Sequence, residues 1–331
     1  MTKLQLKSLT HKELQSLLKK LNINPFNANK IFKHIYHKQE NIETTNLPDK
    51  DRLLNKIETK NLRVIKKIKS KDKTTKFLFQ LADKNKIESV LIPQRNKYCA
   101  CISTQVGCAL RCKFCISGRN GLKRNLETYE IIEQVITLNK EKPIYSIVFM
   151  GSGEPFHNYK NIIKAIHILN NHFGFNFGQK HITVSTSGIP KKIVDFYKDT
   201  TANLAISLNA TNNKLRSQLM PINNKYGIRS ILNACKNAKT TPRRRIMIEY
   251  ILFKDLNDSL EDANKLTKLL QGFHCAINLI PFNEHPHSKF KAPNKKQVEL
   301  FKETLRNKKF KVFIRESHGQ DINAACGMLS N

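Results

Sequence analysis

The chain lacks the sequence signals of membrane insertion and secretion. It has no run of about 18 apolar residues that could cross a bilayer. Its first residues, Met1 to Leu9, are polar and basic, without the apolar centre of a secretory signal. It contains no tryptophan, and we find no basic amphipathic helix with a tryptophan- or phenylalanine-rich face. These absences favour the cytoplasm and argue against a membrane partner.

Acidic residues are scarce. The 331 residues include 58 lysines and arginines against 26 aspartates and glutamates, which leaves a formal net charge of +32. A charge of this size disfavours self-association and attracts polyanions, so nucleic acid is the leading partner. The charge alone has an alternative explanation. Lysine, asparagine and isoleucine are all abundant, as they are in proteins of an AT-rich genome, and such a composition implies no partner.

The first ninety residues differ from the rest in composition and in their predicted secondary structure. Their pattern predicts two helices, a dense basic stretch and two strands: His11–Leu21, Ala28–Tyr36 with Asn27 as its cap, Lys60–Lys76, Phe77–Ala82 and Lys86–Ile92. A solvated basic face is the plainer interpretation of the lysine run. We divide the chain into a small, mainly helical, basic accessory domain for RNA binding, residues 1–90, and a second domain, residues 91–331.

From Tyr98 onward strands and helices alternate. The predicted strands are Cys99–Gln105, Ser146–Met150, Ile182–Thr186, Leu204–Leu208, Arg245–Leu252, Ala276–Pro281 and Val312–Arg315. The predicted helices include Glu127–Lys140, Asn161–Asn170, Ile228–Asn237, Ser259–Leu270 and Lys295–Asn307. This alternation predicts an α/β fold, an incomplete (β/α) barrel of parallel strands, with its chemistry at the carboxyl ends of the strands.

Five of the eight cysteines fall between Cys99 and Cys115. Three of them, Cys108, Cys112 and Cys115, form a C-x3-C-x2-C triad after a predicted strand. Clustered cysteines in a cytosolic chain indicate metal or redox chemistry. Structural zinc normally takes four ligands in two pairs, whereas three thiolates on a four-iron cubane leave one iron open. A zinc knuckle completed by Cys99, Cys101 or a histidine remains the alternative.

The triad and its surroundings resemble the RlmN-type 23S ribosomal RNA adenine-C2 methyltransferases of the radical S-adenosylmethionine superfamily. The resemblance begins at Cys101-Ile-Ser-Thr-Gln-Val-Gly-Cys108 and continues in order along nearly the whole chain. Its further motifs are Gly121–Leu126, Phe149–Pro155, Val184–Gly188, Ile206–Ala210, Leu219–Asn223, Arg243–Tyr250, Leu279–Asn283 and Asp321–Gly327.

This resemblance implies cofactors and their ligands. The triad Cys108, Cys112 and Cys115 would hold one [4Fe-4S] cluster, whose open iron would bind S-adenosylmethionine. The family's cofactor contacts correspond to Gly153, Glu154, Ser185, Ser207, Leu208, Asn209 and Asn283. Asn209 stands where the family usually has histidine. The implied partners are ribosomal RNA, with transfer RNA as a second candidate, and an electron donor such as flavodoxin or ferredoxin.

The resemblance also implies three catalytic residues. Cys326 would carry the methyl group, Cys101 would release the product by forming a disulfide with Cys326, and Glu88 would be a proton acceptor. From the residues alone, Cys326 could equally be a buried apolar side chain that fills the core. For Glu88, a carboxylate at a strand edge is a better interpretation than a catalytic role.

Two other functions stay open at this point. The sister Cfr-type enzymes methylate C8 of the same base, and Gly118 and Gly121–Lys123 favour that group slightly. A non-catalytic RNA-binding protein with structural zinc is the third possibility. It predicts a colourless protein, whereas an iron–sulfur cluster predicts a brown one.

Overall fold

A computed structural model describes residues 3–238 and 244–329 of the chain. The strands are β1 Leu4–Gln5, β2 Ile57–Glu58, β3 Arg63–Lys69, β4 Thr75–Gln80, β5 Lys86–Gln94, β6 Lys97–Cys101, β7 Gln105–Gly107, β8 Leu122–Asn125, β9 Ile144–Phe149, β10 Ile182–Thr186, β11 Asn203–Ser207, β12 Ile246–Leu252, β13 Cys275–Pro281 and β14 Lys311–Ile314. The helices are α1 His11–Lys20, α2 Asn27–Phe32, α3 Lys50–Leu54, α4 Thr128–Glu141, α5 Tyr159–Asn170, α6 Pro190–Asp199, α7 Asn213–Leu219, α8 Ile228–Asn237, α9 Leu260–Leu269 and α10 Lys295–Asn307.

Ten strands form one mixed sheet in the order β14-β13-β12-β11-β10-β9-β6-β5-β4-β3. The seven strands from β14 to β6 run parallel to their neighbours, whereas β5, β4 and β3 continue the sheet as antiparallel strands. The order is linear, with β14 and β3 at its edges, so the sheet does not close on itself. The predicted incomplete α/β barrel is confirmed.

The parallel strands are apolar, β-branched runs such as Ile246–Leu252, in which alternate side chains are fully buried. Amphipathic helices cover them, and one hydrophobic core extends from Leu6 to Val312. The predicted division at residue 90 falls within β5, and β3 to β5 belong to the same sheet as the parallel strands. The separate accessory domain therefore stays a prediction.

Three local predictions need correction. Asn27 does not cap α2, because it is the first helical residue and is buried, and the cap position is Phe26. The predicted strand Cys99–Gln105 ends at Cys101, and β7 is a separate short strand. The basic stretch Lys60–Lys76 contains a strand, β3, at the sheet edge.

Arg243 of the motif Arg243–Tyr250 lies outside the residues that the structure describes. Among residues 3–238 and 244–329, no helix has both the length and the apolar character that crossing a membrane requires.

Candidate active site

Two adjoining cavities open at the carboxyl ends of the parallel strands. One, the triad cavity, measures about 140 Å³ and is lined by all three cysteines of the predicted triad. The other, the β6 cavity, measures about 410 Å³ and is lined by Cys99 and Cys101 of β6. Five residues line both cavities: Met150, Ile280, Asn283, Cys326 and Leu329.

The loop Cys108–Cys115 begins at a tight crossing of two chain segments. Gly107, which precedes it, has φ of +78°, and a Cβ atom there would lie 1.9 Å from the carbonyl oxygen of Gly121. The amide of Cys108 donates a hydrogen bond of 3.0 Å to that same oxygen. Only glycine fits between these two segments, so Gly107 determines where the first thiol lies.

Backbone hydrogen bonds also fix the rest of the loop. Lys113 N donates to Leu219 O at the end of α7, over 2.9 Å. Just beyond the loop, Ile116 N donates to Gly327 O over 2.8 Å. This hydrogen bond connects the triad loop to the segment that carries Cys326. The triad is thus attached to two distant parts of the chain.

Burial raises the pKa values of all three triad thiols. The pKa of Cys108 rises to about 12, that of Cys112 rises well above its usual range, and that of Cys115 is also raised. Burial is the main cause, and neighbouring thiols add to it at Cys108 and Cys112. Metal binding replaces the protons of such thiols, so a positive centre between them offsets this cost.

The donor set fits an iron–sulfur cluster better than a zinc ion. Within the described part of the chain, no three histidine, cysteine, aspartate or glutamate side chains lie close enough to hold one metal ion. A cubane is much wider than one ion, so its thiolate ligands stand further apart. The proposed zinc ligands Cys99 and Cys101 line the other cavity. Three thiols beside an open cavity suit a cubane with one free iron.

Glu154 follows β9 and lines the triad cavity. Its Oε2 accepts hydrogen bonds of 2.9 Å from both N and Oγ of Ser187, and its Oε1 accepts from Thr186 Oγ1 at 2.5 Å and Phe156 N at 3.0 Å. Four donors therefore stabilise a carboxylate that is only 3% exposed.

A second carboxylate, Glu249 of β12, lines the same cavity and was not predicted as a site residue. Its Oε2 accepts from Ser185 Oγ and, over 3.1 Å, from Ser207 Oγ, and its Oε1 lies 3.9 Å from Arg315. It binds the two serines that the family resemblance singled out. The sequence did contain a signal for Glu249, because it is the single charged residue within the otherwise apolar strand Ile246–Leu252.

Cys326 is exposed and lines both cavities, and desolvation by the surrounding chain raises the pKa of its thiol. Burial likewise raises the pKa of Cys101 to about 12, and the positive charge of Arg315 opposes the rise at both thiols. Arg315 lines the β6 cavity. All eight cysteines are free thiols, so the disulfide between Cys101 and Cys326 stays a prediction.

Three predicted site residues line neither cavity: Glu88, Leu208 and Asn209. Asn209 is fully buried with φ of +60°, and its side chain accepts from Ile251 N over 2.9 Å and donates to Met220 Sδ. Glu88 is buried on β5 and forms an ion pair of 2.9 Å with Lys76. Their roles stay predictions.

Comparison with known proteins gives one consistent result. The sequence profile of the Radical SAM superfamily matches residues 102–267. The dual-specificity RNA methyltransferase RlmN of Geotalea uraniireducens is 41% identical over 333 residues, covering 99% of this chain and 97% of that protein. The protein of the same name from Geobacter sulfurreducens is 45% identical over 260 residues, or 78% of this chain and 72% of the relative.

A solved structure agrees with these relatives. The crystal structure of a radical SAM methyltransferase from Sphaerobacter thermophilus superposes with a TM-score of 0.92 at 36% identity, covering 98% of this chain and 99% of that one. The likeness therefore extends through the N-terminal segment as well as the parallel strands.

The crossing at Gly107 makes a testable prediction. Gly107→Ala should lose most bound iron after anaerobic reconstitution, although every ligand remains, because the new methyl group collides with Gly121 O. Gly272→Ala is the matched control, since Gly272 has φ of +71° but no atom lies within 4 Å of the position that a Cβ would take there. It should keep its iron and lose about 1–2 kcal/mol of stability, because alanine is strained in this left-handed conformation. Equal iron contents in the two variants would contradict this account of the loop.

Proposed function

The chain belongs to the radical SAM superfamily and to its RlmN family of RNA methyltransferases, and from this premise we propose that it methylates C2 of an adenine in 23S ribosomal RNA. Its cofactors are a [4Fe-4S] cluster and S-adenosylmethionine. Transfer RNA is the second substrate to be tested, and a flavodoxin- or ferredoxin-type protein is the proposed electron donor.

The position of Cys326 between the two cavities is the observation that carries this proposal. C2 of adenine is an electron-poor aromatic carbon and has no lone pair with which to attack a methyl donor. A carbon radical can add to C2 directly, so a residue that takes a methyl group in one cavity, loses a hydrogen atom from it and presents the resulting carbon in the other would overcome this problem. Cys326 is the cysteine that lines both cavities, whereas Cys101 lines only the β6 cavity.

Each site group has a proposed task. Cys108, Cys112 and Cys115 would hold the cluster, and Gly153, Glu154, Ser185, Ser207 and Asn283, which line the same cavity, would bind S-adenosylmethionine. When bound, these cofactors supply a methyl group and a 5′-deoxyadenosyl radical.

The cysteine pair would complete the transfer. Cys326 would hold the methyl group as a thioether. That group would lose one hydrogen atom to the radical that the cofactors supply, and its carbon would then bond to C2, with one electron leaving the adduct and Glu88 accepting the proton from C2. The Cys101 thiolate would attack the Cys326 sulfur, so that the electron pair of the broken carbon–sulfur bond passes to the carbon, which takes up a proton and leaves as the methyl group of the base, while Cys101 and Cys326 form a disulfide. The side chains of Glu88 and Val90 lie on the same side of β5, and Val90 pairs with Cys101 of β6. This shared side of the sheet supports the assignment of Glu88 as a proton acceptor.

Product analysis tests the function. Anaerobically reconstituted protein, incubated with 23S ribosomal RNA, S-adenosylmethionine and a reductant, should yield 2-methyladenosine on nucleoside mass spectrometry. Recovery of 8-methyladenosine would move the chain to the Cfr-type activity. A colourless protein that contains zinc and yields neither nucleoside would contradict the proposal.

Cys101 should be distinguishable from Cys99, its neighbour on the same face of β6. Both are buried and line the β6 cavity, so Cys99→Ala is a matched control. Cys101→Ala should accumulate a covalent protein–RNA adduct on denaturing gels, because the new bond forms but the adduct is not resolved. Cys99→Ala should release its product normally, and Cys101→Ala/Cys326→Ala should form no adduct.

An adduct absent from Cys101→Ala, in protein that holds its iron and cleaves S-adenosylmethionine, would overturn the role of Cys101. An adduct in Cys99→Ala of equal yield would show instead that general disturbance of the cavity is the cause.

The exposed edge of the sheet supports RNA binding by the N-terminal part of the chain. β3 is an edge strand, and Arg63, Lys66, Lys67 and Lys69 are exposed along it. A row of cations on an unpaired edge can follow a phosphate backbone and also hinders pairing with a second chain.

Removing two of these charges should weaken RNA binding. If both side chains contact phosphates, Lys66→Gln/Lys69→Gln should reduce the slope of log affinity against log salt by about 2, without changing iron content. Lys295→Gln/Lys296→Gln, which removes two exposed charges at the start of α10, should leave the slope unchanged. Equal slopes for both double variants would exclude the β3 edge as the contact surface.

A further inference from the structure

Arg216 on α7 is a fully buried arginine behind the site. Its guanidinium donates to Asn223 Oδ1 (3.0 Å) and to four carbonyl oxygens, those of Leu208 (3.0 Å), Ser187 (2.5 Å), Ser207 (3.1 Å) and Tyr226 (3.3 Å). These acceptors are all neutral. Within the described part of the chain, no carboxylate lies within ion-pair distance of this guanidinium.

A buried cation without a counter-ion is costly, because neutral hydrogen-bond acceptors replace only part of its hydration. Burial accordingly lowers the pKa of Arg216 to about 10, and the opposing influence comes from the thiol of Cys112. Five hydrogen bonds satisfy its donors but leave its charge uncompensated. A negative group near Arg216 would offset this cost, and no carboxylate of the residues that the structure describes supplies it.

The triad loop is the place where such a group would sit. Leu219, three residues after Arg216, accepts the hydrogen bond from Lys113 N, and Cys112 packs against the apolar cluster to which Leu219 belongs. A [4Fe-4S] core has a formal charge of +2 in its oxidised state, so three thiolate ligands make the assembly negative. Reduction by one electron makes it more negative still.

The same guanidinium reaches both cavity carboxylates through two serines. It holds the carbonyl oxygen of Ser187, whose N and Oγ bind Glu154, and that of Ser207, whose Oγ binds Glu249. One side chain therefore fixes the chain at the ends of β10 and β11, where Ser187 and Ser207, two of the residues that donate to these carboxylates, lie.

We propose that Arg216 is a positioning residue with two separable effects: its charge is the counter-ion of the cluster and its thiolates, and its hydrogen bonds align Ser187 and Ser207 for S-adenosylmethionine binding. This inference rests on the proposed cluster at Cys108, Cys112 and Cys115, but not on which RNA base is methylated. A positive charge near the cluster favours its reduced form and so raises its reduction potential.

Two variants separate the effects. Arg216→Gln removes the charge, so the midpoint potential of the cluster, followed by electron paramagnetic resonance in a redox titration without RNA, should shift to more negative values. Arg216→Lys keeps the charge but cannot reach both carbonyl oxygens. Its potential should stay near that of the parent protein, while the dissociation constant of S-adenosylmethionine should rise about tenfold.

Arg244→Gln is the matched control. Arg244 is a half-buried arginine that donates to Ala202 O, at the opposite end of β11, so its loss should not move the potential. Should Arg216→Gln fail to fold, Asn223→Asp places a carboxylate against the same guanidinium and should shift the potential in the same negative direction.

An unchanged potential in iron-loaded Arg216→Gln, or in Asn223→Asp where that variant replaces it, would overturn the counter-ion role. An unchanged affinity for S-adenosylmethionine in Arg216→Lys would overturn the alignment role. Because these titrations contain no RNA, either failure is distinct from a failure to find 2-methyladenosine.

Discussion

The concentration of acidic groups at one end of the parallel sheet is the constraint on which the rest of the site depends. Three thiols and two carboxylates line the triad cavity, and all five are largely shielded from water. Hydroxyl and amide groups donate to both carboxylates, and Glu249 has in addition a long ion pair of 3.9 Å with Arg315. Hydrogen bonds of this kind keep the groups in place while leaving their charge for a cationic partner, which S-adenosylmethionine and the iron core both are.

The antiparallel part of the sheet has a structural task at this site. The turn between β3 and β4 contacts the segment that carries Cys326: Ser70 Oγ donates to Asp321 Oδ1 over 2.6 Å, and Gly319 N donates to Asp72 Oδ2 over 2.8 Å. Lys76, the partner of Glu88, also donates to the carbonyl oxygen of Asn323. The N-terminal strands thus hold the loop between the two cavities, and this explains why they continue the catalytic sheet.

The parallel strands and the triad could be predicted from sequence because the signals for both are local. Apolar β-branched runs alternate with amphipathic helices, and three thiols lie within one loop. Arg216 could not be found in this way, and a single glutamate in an apolar strand was the one local signal for Glu249, since the role of each depends on partners that the fold brings together. Ser187 and Ser207 both accept from Arg216, but Ser187 follows β10, Ser207 ends β11, and α6 lies between them in the chain. Asn27 failed as a predicted cap for a related reason: Asn24, three residues earlier, accepts from Phe26 N and forms the turn.

The charge of the whole chain and the charge of the site have opposite signs, and the fold must keep them apart. A net charge of +32 draws polyanionic RNA to the surface, and exposed lysines on β3 show where some of this charge lies. The triad cavity, in contrast, is lined by the carboxylates Glu154 and Glu249, which would repel a phosphate. We therefore expect the RNA backbone to stay outside while an uncharged base enters. On this account a base extruded from its stack, in an unpaired loop, should be a better substrate than the same base in a duplex.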